Sequence, residues 1–169
     1  MMKTIAIILC AVMLCVLVGC TPNTSLSAPV TFYYCFSDID HQGNRDVFGT
    51  EQREGKDFAE DIVGLLNEYL KGPDSDKLYN PFPEGSAIID ARREGNVLTL
   101  YLSDRFDRLQ QEKLTLALSC LAQTVFEYTS VPVLLIIPSG TFIDGSNYKT
   151  FTPDSFIYSD KNTAYTPPQ

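Results

Sequence analysis

The sequence predicts an α/β domain. The expected form is a two-layer sandwich in the order β-α-β-β-α-β, with two helices on one face of a mixed sheet of about four strands. Three observations carry this expectation. Asp57–Leu70 and Leu109–Tyr128 place apolar residues at helical spacing. Val30–Phe36 alternates, and Val133–Ile137 is an unbroken apolar run of strand length. Ala87–Ala91 and Val97–Ser103 flank the turn Glu94–Gly95–Asn96, the pattern of a hairpin. At 169 residues, 44% hydrophobic and 20% charged, the chain suits one domain or two small ones and is too apolar for a disordered segment.

Each element follows from local chemistry. In the first strand Val30, Phe32, Tyr34 and Phe36 share one face. The stretch 37–55 is polar and carries Gly43, Gly49 and Gly55, so it reads as a long loop with a short strand at Val47–Phe48. In the first helix Phe58, Ile62, Leu65, Leu66 and Tyr69 make the buried stripe, and Asp57 with Glu60 forms a capping pair. Gly72–Pro73 stops that helix. Residues 74–85 form an extended loop in which Pro81 and Pro83 present Phe82 to the core. In the second helix Leu114, Leu118, Leu121 and Val125 form the stripe, widened by Ala117 and Ala122. Beyond Gly145 the pattern is less regular. Phe151–Tyr158 packs back on the domain in this reading, and residues 159–169 form a fraying tail.

The first twenty residues read as an address. Lys3 gives a short positive n-region, and Ile5–Val18 is an uncharged apolar run of fourteen residues. That is shorter than the roughly 20 residues a membrane span needs. The run ends in Leu17, Val18, Gly19 and Cys20, which resembles the bacterial lipobox. Small residues there admit the signal peptidase, and the Cys20 thiol takes the diacylglycerol. The implied organisation is a signal peptide over 1–19, a lipid-anchored linker over 20–29, the domain over 30–158 and the tail over 159–169. The expected address is the extracytoplasmic face of the cell membrane. Two acyl chains hold stably where one does not. The nine residues Thr21–Pro29 reach at most about 30 Å, so the domain works close to the bilayer.

Charge and chemistry exclude several classes of function. The net charge of −8 argues against nucleic acid and against docking on anionic lipid. One His and no Trp leave little of the usual metal and acid–base set. The sequence has no glycine-rich phosphate loop, nucleophile elbow or zinc spacing. No catalytic residue, no metal ligand set and no cofactor is therefore expected, and the chain is not read as an enzyme. Residues 38–46 (Asp-Ile-Asp-His-Gln-Gly-Asn-Arg-Asp) match a calcium loop at positions 1, 3, 6 and 9. Position 8 is Arg45 and position 12 is Gly49, so a polar loop is expected, with His41 an exposed imidazole. Asp104 and Asp107 sit where the second helix begins and read as caps. Glu60–Asp61 reads as solvated acid at a helix start.

Of five cysteines, Cys10 and Cys15 lie in the signal and Cys20 at the lipid site. Cys35 alternates with Thr31, Tyr33 and Ser37, away from the apolar face of its strand. Cys120 lies about 120° from the centre of its helix's stripe at 100° per residue. That patterning argues against a bridge between them. The residues Tyr33, Thr99 and Tyr101 are read as sharing the sheet face that helices leave open, a candidate partner surface.

Residues 61–140 resemble the GerMN domain, named for a bacterial sporulation and spore-germination protein. The likeness rests on Leu70–Lys71–Gly72–Pro73 and on the loop Leu78–Tyr79–Asn80–Pro81–Phe82–Pro83–Glu84–Gly85. It continues through the hairpin ending Tyr101–Leu102–Ser103–Asp104–Arg105–Phe106, the helix ending Thr124–Val125–Phe126–Glu127–Tyr128, and the strand Val133–Ile137. The resemblance implies an envelope lipoprotein and a fold similar to ring-building modules of secretion and sporulation channels. It implies function through protein–protein contact, with an envelope protein or with further copies of the chain, and not an enzyme. This chain holds one such domain where the founding protein has two. The alternative reading is a lipoprotein that binds a small ligand or the cell wall. If Cys20 carries lipid, labelled palmitate fed to producing cells will enter the wild-type chain and leave the Cys20→Ala variant unlabelled. Equal labelling of both chains would remove the anchor.

Overall fold

A computed structural model of the chain describes residues 29–37, 47–53 and 61–155. Nine elements follow in order: β1 (Val30–Phe36), β2 (Phe48–Arg53), α1 (Ile62–Tyr69), β3 (Leu78–Tyr79), β4 (Ile88–Glu94), β5 (Val97–Leu102), α2 (Gln111–Tyr128), β6 (Val133–Ile137) and β7 (Lys149–Phe151). The expected α/β class, the two helices and a four-stranded mixed sheet are present. In that sheet the strands run β4-β5-β6-β7, with β5 and β6 parallel and the other pairs antiparallel. A parallel pair needs a crossover, and α2 supplies it.

The first strand does not join that sheet. It is the middle of a separate three-stranded antiparallel sheet, β2-β1-β3. The short strand expected at Val47–Phe48 is six residues long and pairs along nearly the whole of β1. Its sequence, Phe-Gly-Thr-Glu-Gln-Arg, hides the strand because both its polar side chains and its glycine have structural tasks. A Cβ on Gly49 would stand 2.5 Å from Leu78 Cδ2 and 2.9 Å from the Phe36 ring, so only glycine lets β2 lie so close. Glu51 accepts from the backbone N–H of Asp74 and Ser75 at 2.9 and 3.0 Å. Arg53 donates to Glu51 at 2.7 Å and to the Gly72 carbonyl at 2.6 Å, and its guanidinium lies 5.3 Å from the centre of the Phe32 ring. The edge strand thus clamps the turn that ends α1.

α1 begins at an Asp61 cap, whose carboxylate accepts from Gly64 N–H at 2.8 Å. The expected capping pair Asp57–Glu60 lies outside the described residues. Gly72, at φ +105°, ends the helical turn as its sequence predicts. α1 joins the two sheets through two side chains. From the Asn67 amide, the nitrogen donates to the Ile88 carbonyl at 3.1 Å and the oxygen accepts the Ile88 N–H at 2.9 Å. The Tyr69 hydroxyl donates to the Tyr33 carbonyl at 2.5 Å, and the Tyr34 hydroxyl donates to the Tyr69 carbonyl at 2.8 Å. From α2, the Thr124 hydroxyl accepts the Tyr33 N–H at 3.0 Å.

One core is shared by both sheets and both helices. Tyr69 is its hub, with ring centres 5.0 Å from Phe32, 5.0 Å from Tyr34 and 5.1 Å from Phe82. Phe82 is buried, as the proline loop predicts, and lies 6.1 Å from Phe106. Burial pushes the Tyr34 and Tyr69 phenols well above the usual tyrosine range.

Two outcomes follow. Tyr69→Phe keeps the ring and strands the part-buried Tyr33 carbonyl, so denaturant unfolding will show a loss of about 1–2 kcal/mol. Raised phenols stay protonated in the fold while unfolded tyrosine ionises near 10, so their contribution is intact below that pH and is lost above it. Urea midpoints at pH 9 and pH 11 will therefore fall apart, and Tyr34→Phe will narrow the gap.

Candidate interaction surface

Alternation in β5 defines two faces. Leu98, Leu100 and Leu102 are buried, and Val97, Thr99 and Tyr101 are partly exposed. The register carries the open face across the sheet. Val133, Leu135 and Ile137 of β6 stand beside Val97, Thr99 and Tyr101. On the other side Arg92 stands opposite Thr99, and Asp90 opposite Tyr101. Only Leu134 and Ile136 of β6 are buried. The unbroken apolar run is thus half turned outward, in phase with the alternation of its neighbour. The result is an apolar strip on two interior strands, with Thr99 as its polar member. Arg92 stretches over the Tyr101 ring at 5.1 Å and pairs with Asp90 at 2.8 Å, giving the strip one charged margin. Ile89, at the register shift in β4, is 64% exposed beside that margin in sequence.

Thr99 and Tyr101 therefore lie together as expected. Tyr33 does not join them, because β1 belongs to the other sheet. Its phenol is half-buried beside Glu127, which with burial raises its pKa. Val133, Leu135 and Ile137 are the surface residues that sequence reasoning missed. A continuous apolar run does not reveal which of its faces is covered.

Two other expectations change. Asp104 precedes a short 3₁₀ turn, Phe106–Arg108, and Asp107 lies within it; neither caps α2, whose cap residue is Gln110 without a side-chain bond. Asp104 pairs with Arg108 at 3.4 Å, and Asp107 accepts from Gly140 N–H at 3.1 Å, tying the turn to the loop after β6. Cys35 and Cys120 are both fully buried free thiols, with their sulfurs 3.8 Å apart. The face argument fails because α2 is buried all round from Ala117 to Val125, between elements of both sheets.

Leu17, Val18, Gly19 and Cys20 lie outside the described residues, as does the loop 38–46 with His41. Among the described residues no group of three His, Cys, Asp or Glu is placed to hold a metal ion, and no helix is long and apolar enough to cross a membrane. A shallow cleft of about 250 Å³ lies between the start of β1 and the end of α2, lined by Pro29, Val30, Thr31, Glu127 and Tyr128.

The sequence matches no protein-family profile and no curated protein. Two solved structures are similar. One, a chain from Clostridium perfringens provisionally classed as a lipoprotein, is 15% identical with a TM-score of 0.39, over 75% of this chain and 89% of that one. The other comprises the tandem GerMN domains of the sporulation protein GerM from Bacillus subtilis, at 17% identity and a TM-score of 0.51. The match takes in 76% of this chain and 46% of that one, so this chain spans about half of the tandem structure. Its two helices, mixed four-stranded sheet and antiparallel three-stranded sheet form a fold similar to that of the GerMN domains.

Proposed function

We propose that this chain is a lipid-anchored, extracytoplasmic module that docks a protein of the bacterial envelope through the open face of its four-stranded sheet. The observation that carries this reading is the apolar strip of Val97, Tyr101, Val133, Leu135 and Ile137 around Thr99. Contiguous apolar surface on interior strands is a recurrent feature of binding faces. The lipobox around Cys20 supports the address. The likeness in fold to domains of a sporulation protein supports a place in a sporulation or germination complex. The margin of Arg92 and Asp90 supplies register and discrimination to such a contact rather than bulk affinity.

A small-ligand role has less support. Among the described residues, the cleft at Pro29 and Tyr128 is below the roughly 300–1,000 Å³ that enclosed ligand sites occupy.

A photo-crosslinking residue at position 99 will capture one envelope protein in cells, and the same residue at Lys113, exposed on α2, will not. Thr99→Glu sets a charge in the middle of the strip and will lower capture at least about tenfold with little change in melting temperature. Parallel growing and sporulating cultures assign the partner to a growth phase. Capture at both positions alike, or at neither, defeats the proposed face.

A further inference from the structure

Cys35 and Cys120 come from distant parts of the chain, 85 residues apart, and meet in the core. Cys35 is paired within its sheet to Phe48 of β2 and Tyr79 of β3. Cys120 lies on the stretch of α2 that is buried on every side. Their sulfurs are in van der Waals contact at 3.8 Å. The other three cysteines, Cys10, Cys15 and Cys20, precede the domain. A thiol–thiol hydrogen bond is weak. Two small apolar residues would fill the same space without any redox liability.

We infer that Cys35 and Cys120 are the site of a structural disulfide that joins the three-stranded sheet to α2. The inference rests on the extracytoplasmic reading, since such bonds persist in oxidising compartments. The oxidant is a thiol–disulfide exchange partner, a protein or small-molecule disulfide outside the membrane. The Cys35 thiolate attacks one sulfur of that disulfide and expels the other as a thiolate. The Cys120 thiolate then attacks Cys35 sulfur in the mixed disulfide and expels the second oxidant thiolate. Two S–H bonds of the chain and one S–S bond of the oxidant break, and one S–S bond forms in the chain. The two electrons and two protons leave on the oxidant as two thiols. The balance is the same whichever of the two cysteines attacks first. Both sulfurs are inaccessible in the finished domain, so the exchange precedes closure of the core.

The full-length protein is acid-trapped from producing cells, alkylated before and after reduction, and mapped by mass spectrometry. The expected result is a cross-linked pair of peptides containing Cys35 and Cys120 that alkylates only after reduction. Protease added to intact cells reports the location of the chain in parallel. An externally accessible chain with both thiols alkylated before reduction overturns the inference. If the protease shows the chain to be internal, the extracytoplasmic reading has failed. The purified chain refolded with oxidised glutathione then decides the bond itself. Formation of the linked pair, with a melting temperature higher by on the order of 10 °C than that of the reduced chain, supports the site. That gain must vanish in Cys120→Ala. Two free thiols after refolding, or an oxidised chain no more stable than the reduced one, overturns it.

Discussion

A strand edge that runs into a protein core must have its peptide groups answered, because an unpaired N–H or C=O there costs about as much as a lost hydrogen bond. β1 has such an edge. Its neighbour β3 reaches only Cys35 and Phe36, so among the described residues the rest of that side has no strand beside it. At Tyr33 both backbone groups point that way, and both are satisfied by helices. Tyr69 of α1 takes the carbonyl, and Thr124 of α2 takes the N–H. These bonds fix where each helix sits, and the helix positions fix which faces of the sheets are covered. The Tyr69 ring then gathers Phe32, Tyr34 and Phe82 around it. Polar bonds that are satisfied in a low-dielectric core specify one arrangement more sharply than apolar packing alone.

With the helices so placed, the four-stranded sheet buries Leu98, Leu100, Leu102, Leu134 and Ile136 and leaves the β5 and β6 residues of its other face partly exposed. The proposed docking strip is therefore a product of the core. The same placement brings Cys120 against Cys35. The open strip and the thiol pair thus share an origin in the way two helices complete one strand. The clamp of Glu51 and Arg53 holds the turn at Gly72 and keeps α1 from sliding along that edge.

Much of the fold was legible where local pattern and final environment agree. Val30–Phe36 and Val133–Ile137 are strands with those bounds, α2 ends at Tyr128, and Gly72–Pro73 stops α1. Legibility failed where a residue's task is set by something distant. Glu51 and Arg53 look like exposed charges in a polar loop, yet they bind backbone 19 to 24 residues away. Periodicity assumes one wet face, so it set Cys35 and Cys120 apart, although a helix lodged between two sheets has no wet face in its middle. Nothing local to Tyr33 reveals that two sheets exist and that it belongs to the other one from Thr99 and Tyr101. That Thr99 and Tyr101 share a face is legible because strand alternation is a local signal. Their partners on β6 were hidden in a run where every residue is apolar.

The Asn67 amide has a consequence beyond joining α1 to β4. By donating to the Ile88 carbonyl and accepting its N–H, it occupies the hydrogen-bonding slot that a neighbouring strand would use. The register shift beside Ile88 breaks the regular spacing of that rim, and the remainder of it carries Asp90, Arg92, Arg93 and Glu94. An incoming strand would find its first rung taken, its second out of step and the rest charged. Such a rim resists edge-to-edge growth of the sheet into aggregates.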